Sequence, residues 1–167
     1  MKSIHVIILM PLSNLAMAQH YTKEKTEIEK VVQQFKESII QKDSATFYSL
    51  FHEDPVIWIG VVKNRSQQKR LKKNPENHQN YFSDTYQNFF RYILEKGEKE
   101  EKFEHVRIIN DDVIASITFD YSFRERNSIT NWGKEYWQLI KVEGKWKIVS
   151  IIYSYENASF FPKLQAQ

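Results

Sequence analysis

The segment Trp132-Gly133-Lys134-Glu135-Tyr136-Trp137-Gln138-Leu139-Ile140-Lys141-Val142-Glu143-Gly144-Lys145-Trp146-Lys147-Ile148-Val149-Ser150-Ile151-Ile152-Tyr153 decides the fold. Glu143-Gly144 is hairpin chemistry, since a two-residue loop needs backbone angles that glycine tolerates. Strands over 132–142 and 145–155 then run antiparallel on either side of it. In that register Val142 opposes Lys145, Leu139 opposes Ile148, Trp137 opposes Ser150 and Glu135 opposes Ile152. Opposed residues share a face. One face therefore carries Glu135, Trp137, Leu139, Trp146, Ile148, Ser150 and Ile152. The other carries Tyr136, Gln138, Ile140, Val149, Ile151 and Tyr153. Both faces are largely apolar, whereas an antiparallel sheet with one wet face alternates apolar with polar residues.

Working outward, two more strands over 101–109 and 113–124 precede this hairpin, joined by the turn Asn110-Asp111-Asp112. Residues 124–129 make a longer polar loop before the next strand. Ala115, Ile117, Phe119, Tyr121 and Phe123 alternate with Ser116, Thr118, Asp120 and Ser122. The apolar set must face helices, because burial is worth about 25 cal/mol per Å² of apolar surface. The first helix has Ile28, Val31, Val32, Phe35 and Ile39 at helical spacing, and Thr26 with Glu29 reads as a capping box at its start. Ser44 is placed to cap a short second helix bearing Phe47, Leu50 and Phe51, which Pro55 ends. Residues 56–59 form a strand closed by Gly60. Ser83 is placed to cap a third helix with Tyr86, Phe89, Phe90, Ile93 and Leu94 on one side, and Gly97 ends it. Residues 61–82 read as irregular, and residues 98–104 as charged and solvated. The class is α+β, with three helices packed on a curved antiparallel sheet to form a cone with one pocket.

The chain has 167 residues, enough for one domain. It contains no cysteine, which excludes disulfides, thiolate metal sites and cysteine nucleophiles. A net charge of +3 is too small to coat the surface for nucleic-acid binding. Lys2, the mostly apolar residues 4–10 and the small-x-small run Ala16-Met17-Ala18 fit a cleaved export signal over 1–18. That apolar run is too short to span a bilayer. The expected organisation is a signal peptide over 1–18, one domain over 19–159 and a tail over 160–167. The expected location is periplasmic or secreted.

The order of elements resembles the nuclear transport factor 2-like superfamily. Trp58 in the first strand and the ending Trp132-Gly133-Lys134-Glu135, Trp137-Gln138-Leu139 and Gly144-Lys145-Trp146-Lys147-Ile148 carry the resemblance. It covers roughly residues 24–155 and implies helices and curved sheet around a pocket. The superfamily includes ketosteroid isomerases, scytalone dehydratase, polyketide cyclases and non-catalytic binding domains, so fold does not select an activity. The isomerases' aspartate base falls here on Trp58 or Ile59, counting from Asp54, and neither accepts a proton. Their first-helix tyrosine is also missing from the apolar face, since Tyr21 precedes that stripe. Both departures argue against isomerase chemistry of that kind.

Glu135 is the most informative polar residue, because parity points it inward among rings, where desolvation raises a carboxyl pKa. It is a candidate acid, base or ligand anchor. Trp58, Phe90, Tyr121, Trp137 and Ser150 are the other candidate pocket residues. The expected ligand is a small hydrophobic or aromatic molecule, held without a cofactor or metal. A cofactor-independent lyase or isomerase using Glu135, with Tyr121 as hydrogen-bond donor, is the enzymatic alternative. A dimeric interaction module with a filled cone is the third. A homodimer is expected through the face holding Tyr136, Ile140, Ile151 and Tyr153, unless the tail bearing Phe160 and Phe161 covers it. His52-Glu53-Asp54 lacks helical metal-ligand spacing, and His105 reads as a surface residue on its strand. His78 has no evident partner in its irregular segment. The basic residues Lys63, Arg65, Lys69, Arg70, Lys72 and Lys73 suit an anion, a lid or a solvated loop.

Overall fold

A computed structural model describes residues 12–164, with side chains from Lys23 onward. The apolar residues 4–10 of the expected export segment lie outside the described residues. Helix α1 spans Leu12–Gln41 and α2 spans Ser44–Ser49. There follow β1 (Ile57–Val62), α3 (Asn64–Lys73), β2 (Tyr81–Ser83) and α4 (Tyr86–Leu94). Four long strands complete the chain: β3 (Lys99–Asn110), β4 (Ile114–Glu125), β5 (Ser128–Val142) and β6 (Lys145–Asn157). They form one six-stranded sheet in the order β2-β1-β6-β5-β4-β3. Helices α1, α2 and α4 pack on one face of the sheet through a shared apolar core, so the α+β class holds.

Several expectations change. The sheet is mixed rather than antiparallel throughout, because β1 runs parallel to β6, with Ile57 beside Ser150 and Val62 beside Tyr155. Helix α3 forms where the sequence reads as irregular, giving four helices among the described residues. Thr26 does not start a helix, since α1 already runs through it from Leu12. The short helices are capped one or two residues away from the serines expected. Asp43 accepts from the Thr46 amide at 3.0 Å, and Thr85 accepts from the Asn88 amide at 3.1 Å. These bonds satisfy amides that have no partner within the helix.

The α1 stripe of Ile28, Val31, Val32, Phe35 and Ile39 is buried as its spacing requires. Phe35 lies 4.7 Å from the Trp137 ring and 5.1 Å from that of Phe47, and Phe47 lies 4.6 Å from Phe90. Tilted and edge-on ring pairs of this kind add about 0.5–1.5 kcal/mol each beyond the area they bury. A polar clamp fixes α1 along the sheet. Lys141 Nζ donates to Glu24 at 2.6 Å and to Glu27 at 2.9 Å, and Trp146 Nε1 donates to the same Glu24 carboxylate at 3.1 Å.

The hairpin between β5 and β6 starts in the expected register, from Val142 opposite Lys145 to Leu139 opposite Ile148. Then β6 carries one extra residue, Val149, and the pairing resumes as Gln138 opposite Ser150. This β-bulge reverses the parity of everything beyond it. Trp137 opposes Ile151, and Glu135 opposes Tyr153. Ile151 and Tyr153, expected on the outer face, therefore point inward, and Ile151 is fully buried. Ser150 and Ile152, expected inside, share the outer face with Gln138 and Tyr136.

Gly133 permits a second local departure. A Cβ there would collide with the Ser154 carbonyl of β6. That same carbonyl accepts the Tyr121 hydroxyl at 3.1 Å, so the close approach ties β4 to β6 across β5. Replacing Gly133 by alanine should push the strands apart. The expected loss is at least about 1–3 kcal/mol in a denaturant titration, and wild-type stability of the variant would show that β6 does not lie this close.

Candidate functional site

The bulge places Tyr153 and Tyr155 of β6 on the helix-bearing face beside Glu135 of β5 and Tyr121 of β4. With Trp58 of β1 and Phe89 of α4 they surround a hollow of about 170 Å³. Glu101 of β3 and Phe123 of β4 complete its depth, and Phe82, Tyr92 and Asn131 also line it. Phe82 and Tyr92 are exposed, so they stand at the mouth. Rings buttress one another along the wall. Trp58 lies 5.1 Å from Phe89, Tyr121 lies 5.8 Å from Tyr153, and Phe82 lies 5.8 Å from Tyr153. Gly60 makes room for this packing, because a Cβ there would strike the rings of both Phe82 and Tyr153.

Two carboxyl groups open into this aromatic space. Glu135 is 3% exposed and Glu101 is 7% exposed. Trp137 Nε1 donates to Glu135 Oε1 at 2.8 Å from behind. Among the described residues no hydrogen bond reaches the Glu101 carboxyl. Burial, partly offset by the Trp137 bond, pushes Glu135 from its ordinary value near 4.5 up to about 8. Burial and the neighbouring Glu135 charge push Glu101 well above the usual carboxylate range. The tyrosines cannot relieve either group by ionising. Burial first, and then the two glutamates, push Tyr121 well above its ordinary range. Burial and Glu135 raise Tyr153 too, although the Trp58 side chain donates to its hydroxyl.

Of the residues expected to form a pocket, Trp58, Tyr121 and Glu135 line the hollow. Phe90 does not, because it packs under α4 against Phe47, and its neighbour Phe89 faces the space instead. Trp137 is fully buried behind Glu135 and acts on the hollow through that one hydrogen bond. Ser150 lies on the opposite face of the sheet. Glu101 belongs to the run over 98–104 that reads as charged and solvated, yet it faces the hollow. Its inward direction follows from Phe103 two residues on, which stacks on Phe119 at 4.0 Å.

The other candidates lie away from the hollow. His105 Nδ1 sits 2.9 Å from Asp120, which also accepts from Lys134 Nζ at 2.6 Å, in an exposed cluster. His52 stands 3.6 Å from Asp54, and His78 lies in the loop after α3. Among the described residues no cluster of histidine and acidic side chains suits a metal ion. The basic residues lie on or beside α3, which is held by its own contacts. Arg65 and Ser66 donate to the fully buried Glu156. Arg65 also stacks on Phe161 at 4.5 Å, and Trp132 Nε1 donates to the Phe161 carbonyl at 2.9 Å, so the tail is strapped beside α3.

No family model matches the sequence, and no curated protein does. Solved structures match it in fold. A nuclear transport factor 2-like protein with a cystatin-like fold from Novosphingobium aromaticivorans aligns at TM-score 0.63 and 11% identity, covering 95% of this chain and 99% of that one. A protein from the same organism, provisionally assigned as a scytalone dehydratase, aligns at TM-score 0.63 and 15% identity over 84% of this chain and 89% of that one. A nuclear transport factor 2-like protein of unknown function from Shewanella baltica aligns at TM-score 0.53 and 18% identity, covering 81% and 96%. The chain thus has the nuclear transport factor 2-like, cystatin-like fold. At these identities the likeness extends to the fold alone.

The raised carboxyls set a pH dependence. Between about 4.5 and about 8, folded Glu135 keeps a proton that the unfolded chain has lost. Stability therefore falls as pH rises through that window, by up to about 1.4 kcal/mol per pH unit for one group. Asp43, Asp111 and Asp120 act lower, because hydrogen bonds depress them and their contribution fades only in acid. Urea titrations across the window should show a flatter pH profile for Glu135→Gln than for wild type. Superimposable profiles would mean that Glu135 is ionised at low pH in the folded state.

Proposed function

We infer that this chain is an exported binding protein whose hollow takes a small hydrophobic or aromatic molecule. The observation that carries this reading is the hollow itself, walled by rings and floored by two acids. Apolar lining with a few convergent polar groups is the usual make-up of a small-molecule site. An apolar cavity near 150 Å³ suffices for a benzene-sized guest. The ligand is therefore of about that size, unless Phe82 and Tyr92 at the mouth move aside. A filled cone, which would leave only an interaction surface, fits this space poorly. Export is supported by the sequence over 1–18, and among the described residues no helix is long and apolar enough to cross a membrane.

The second reading is a cofactor-independent lyase or isomerase, and the Glu101–Glu135 pair favours it. Two carboxyls that burial holds in the protonated form near neutral pH supply an acid, and its conjugate base once one proton leaves. Tyr121 is less suited to the donor role expected of it, since its hydroxyl already serves the Ser154 carbonyl. Glu101 takes that place in the scheme. The proton-transfer reading requires loss of turnover in both Glu135→Gln and Glu101→Gln.

The outer face supports association with a second copy. Tyr136 and Ile152 stand side by side there, 51% and 41% exposed, with Ile57 and Ile114 also exposed. The tail packs against Trp132 and leaves these residues open. Native mass spectrometry of protein expressed with residues 1–18 and recovered from outside the cytoplasm tests the whole reading. We expect a chain beginning at Gln19, a mass of two chains and a small bound molecule. An unprocessed chain would remove export, a single-chain mass would remove the dimer, and a ligand-free spectrum under gentle conditions would count against the binding role.

A further inference from the structure

The residues around the hollow are unbalanced in charge. Glu101 and Glu135 open into it, and among the described residues no lysine, arginine or histidine lines it. Lys99, a buried base on the same strand as Glu101, is engaged elsewhere. It donates to the Glu95 carbonyl at 3.3 Å and lies over the Tyr92 ring at 4.5 Å. Glu101 is more than nine-tenths buried, points into the space and has no hydrogen-bond partner among the described residues. Glu135 uses one oxygen on Trp137 and leaves the other toward the hollow. A buried acid without a donor is costly, and such a group is normally paired. The remaining wall is aromatic, and ring faces attract cations most strongly where water is excluded. The missing partner is thus positively charged, carbon-rich and small.

We propose that the hollow binds a small organic cation, an alkyl- or arylammonium group whose charge sits between Glu101 and Glu135 while its carbon atoms lie against Trp58, Tyr153 and Phe89. This deepens the binding reading and rests on it. Binding converts a protonated carboxyl into a carboxylate paired with the ammonium, and the displaced proton leaves to solvent. Affinity for a quaternary ammonium, which does not titrate, therefore rises with pH. The other titratable groups facing the two acids are Tyr121, Tyr153 and Tyr155, with Tyr92 at the mouth; from outside, Asp84 acts on Tyr153, Arg70 on Tyr155, and Glu125 and Glu95 on Tyr92. Burial holds the three tyrosines above their ordinary range, so they stay neutral throughout.

The test is isothermal titration of the full mature chain with matched pairs. Choline is compared with dimethylbutanol, in which carbon replaces the quaternary nitrogen, and benzylammonium with benzyl alcohol. The expected result is a preference of about tenfold or more for each cation, with a proton released on binding when two buffers of different ionisation enthalpy are compared. Glu101→Gln and Glu135→Gln should each erase most of that preference while leaving the alcohols bound. Equal or tighter binding of the alcohols to wild type overturns the charge assignment and leaves the hollow as a site for neutral molecules. Binding of neither pair overturns both. The wild-type comparison decides the matter even where a variant fails to fold.

Discussion

The one residue that β6 carries in excess of β5, Val149, determines what the interior of this protein is made of. Before it, Trp146 and Ile148 face the helices, and after it Ile151, Tyr153 and Tyr155 do. Without the bulge Ile152 would point inward and both tyrosines outward. Strand β1 joins the sheet in register with the shifted half, so Trp58 lies beside Ile151 and Gly60 beside Tyr153. The ring wall of the hollow, the packing of Tyr153 over Gly60 and the placement of Glu135 opposite Tyr153 all descend from this one insertion.

The interior so formed is expensive. Apolar residues in place of Glu101 and Glu135 would remove a desolvation cost that the single Trp137 hydrogen bond, made to a neutral carboxyl, offsets by only about 0.5–1.5 kcal/mol. The rest of the core is built in the opposite manner. Phe35, Phe47, Phe90, Phe103, Phe119 and Trp137 interlock with no unmet polar group among them. A chain that packs one part of its interior so thoroughly and leaves two acids in another concentrates its instability at the hollow.

Elements with local signals were legible. The α1 stripe, the Glu143-Gly144 hairpin and the alternation from Ala115 to Phe123 each follow from spacing within a few residues, and each formed. The bulge was not legible to simple parity, which assumes unbroken alternation. The switch from Trp146 and Ile148 to Ile151, Tyr153 and Tyr155 is visible only once both sets are known to be buried. Helix α3 carries almost no apolar periodicity. What holds it is Glu156, 90 and 91 residues away from Ser66 and Arg65. Glu101 was hidden by its charged neighbours, although Phe103 fixes its direction. Trp58, Tyr121 and Glu135 face the hollow as strand alternation leads one to expect. The parallel pairing of β1 with β6 has no short-range signature at all.

That parallel pairing governs the order in which the molecule is assembled. Residues 57–62 find their partners only at 150–155, so the first strand made must wait for the last. Until then β1 and β2 have no neighbour to extend, and Trp58 and Phe82 remain in water. The four-strand meander β3 to β6 closes through local turns and serves as the template. Strand β1 then joins at the entropic cost of closing the segment over residues 63–98. A nascent chain still missing β6 therefore has no hollow, because Tyr153 and Tyr155 of its wall are absent.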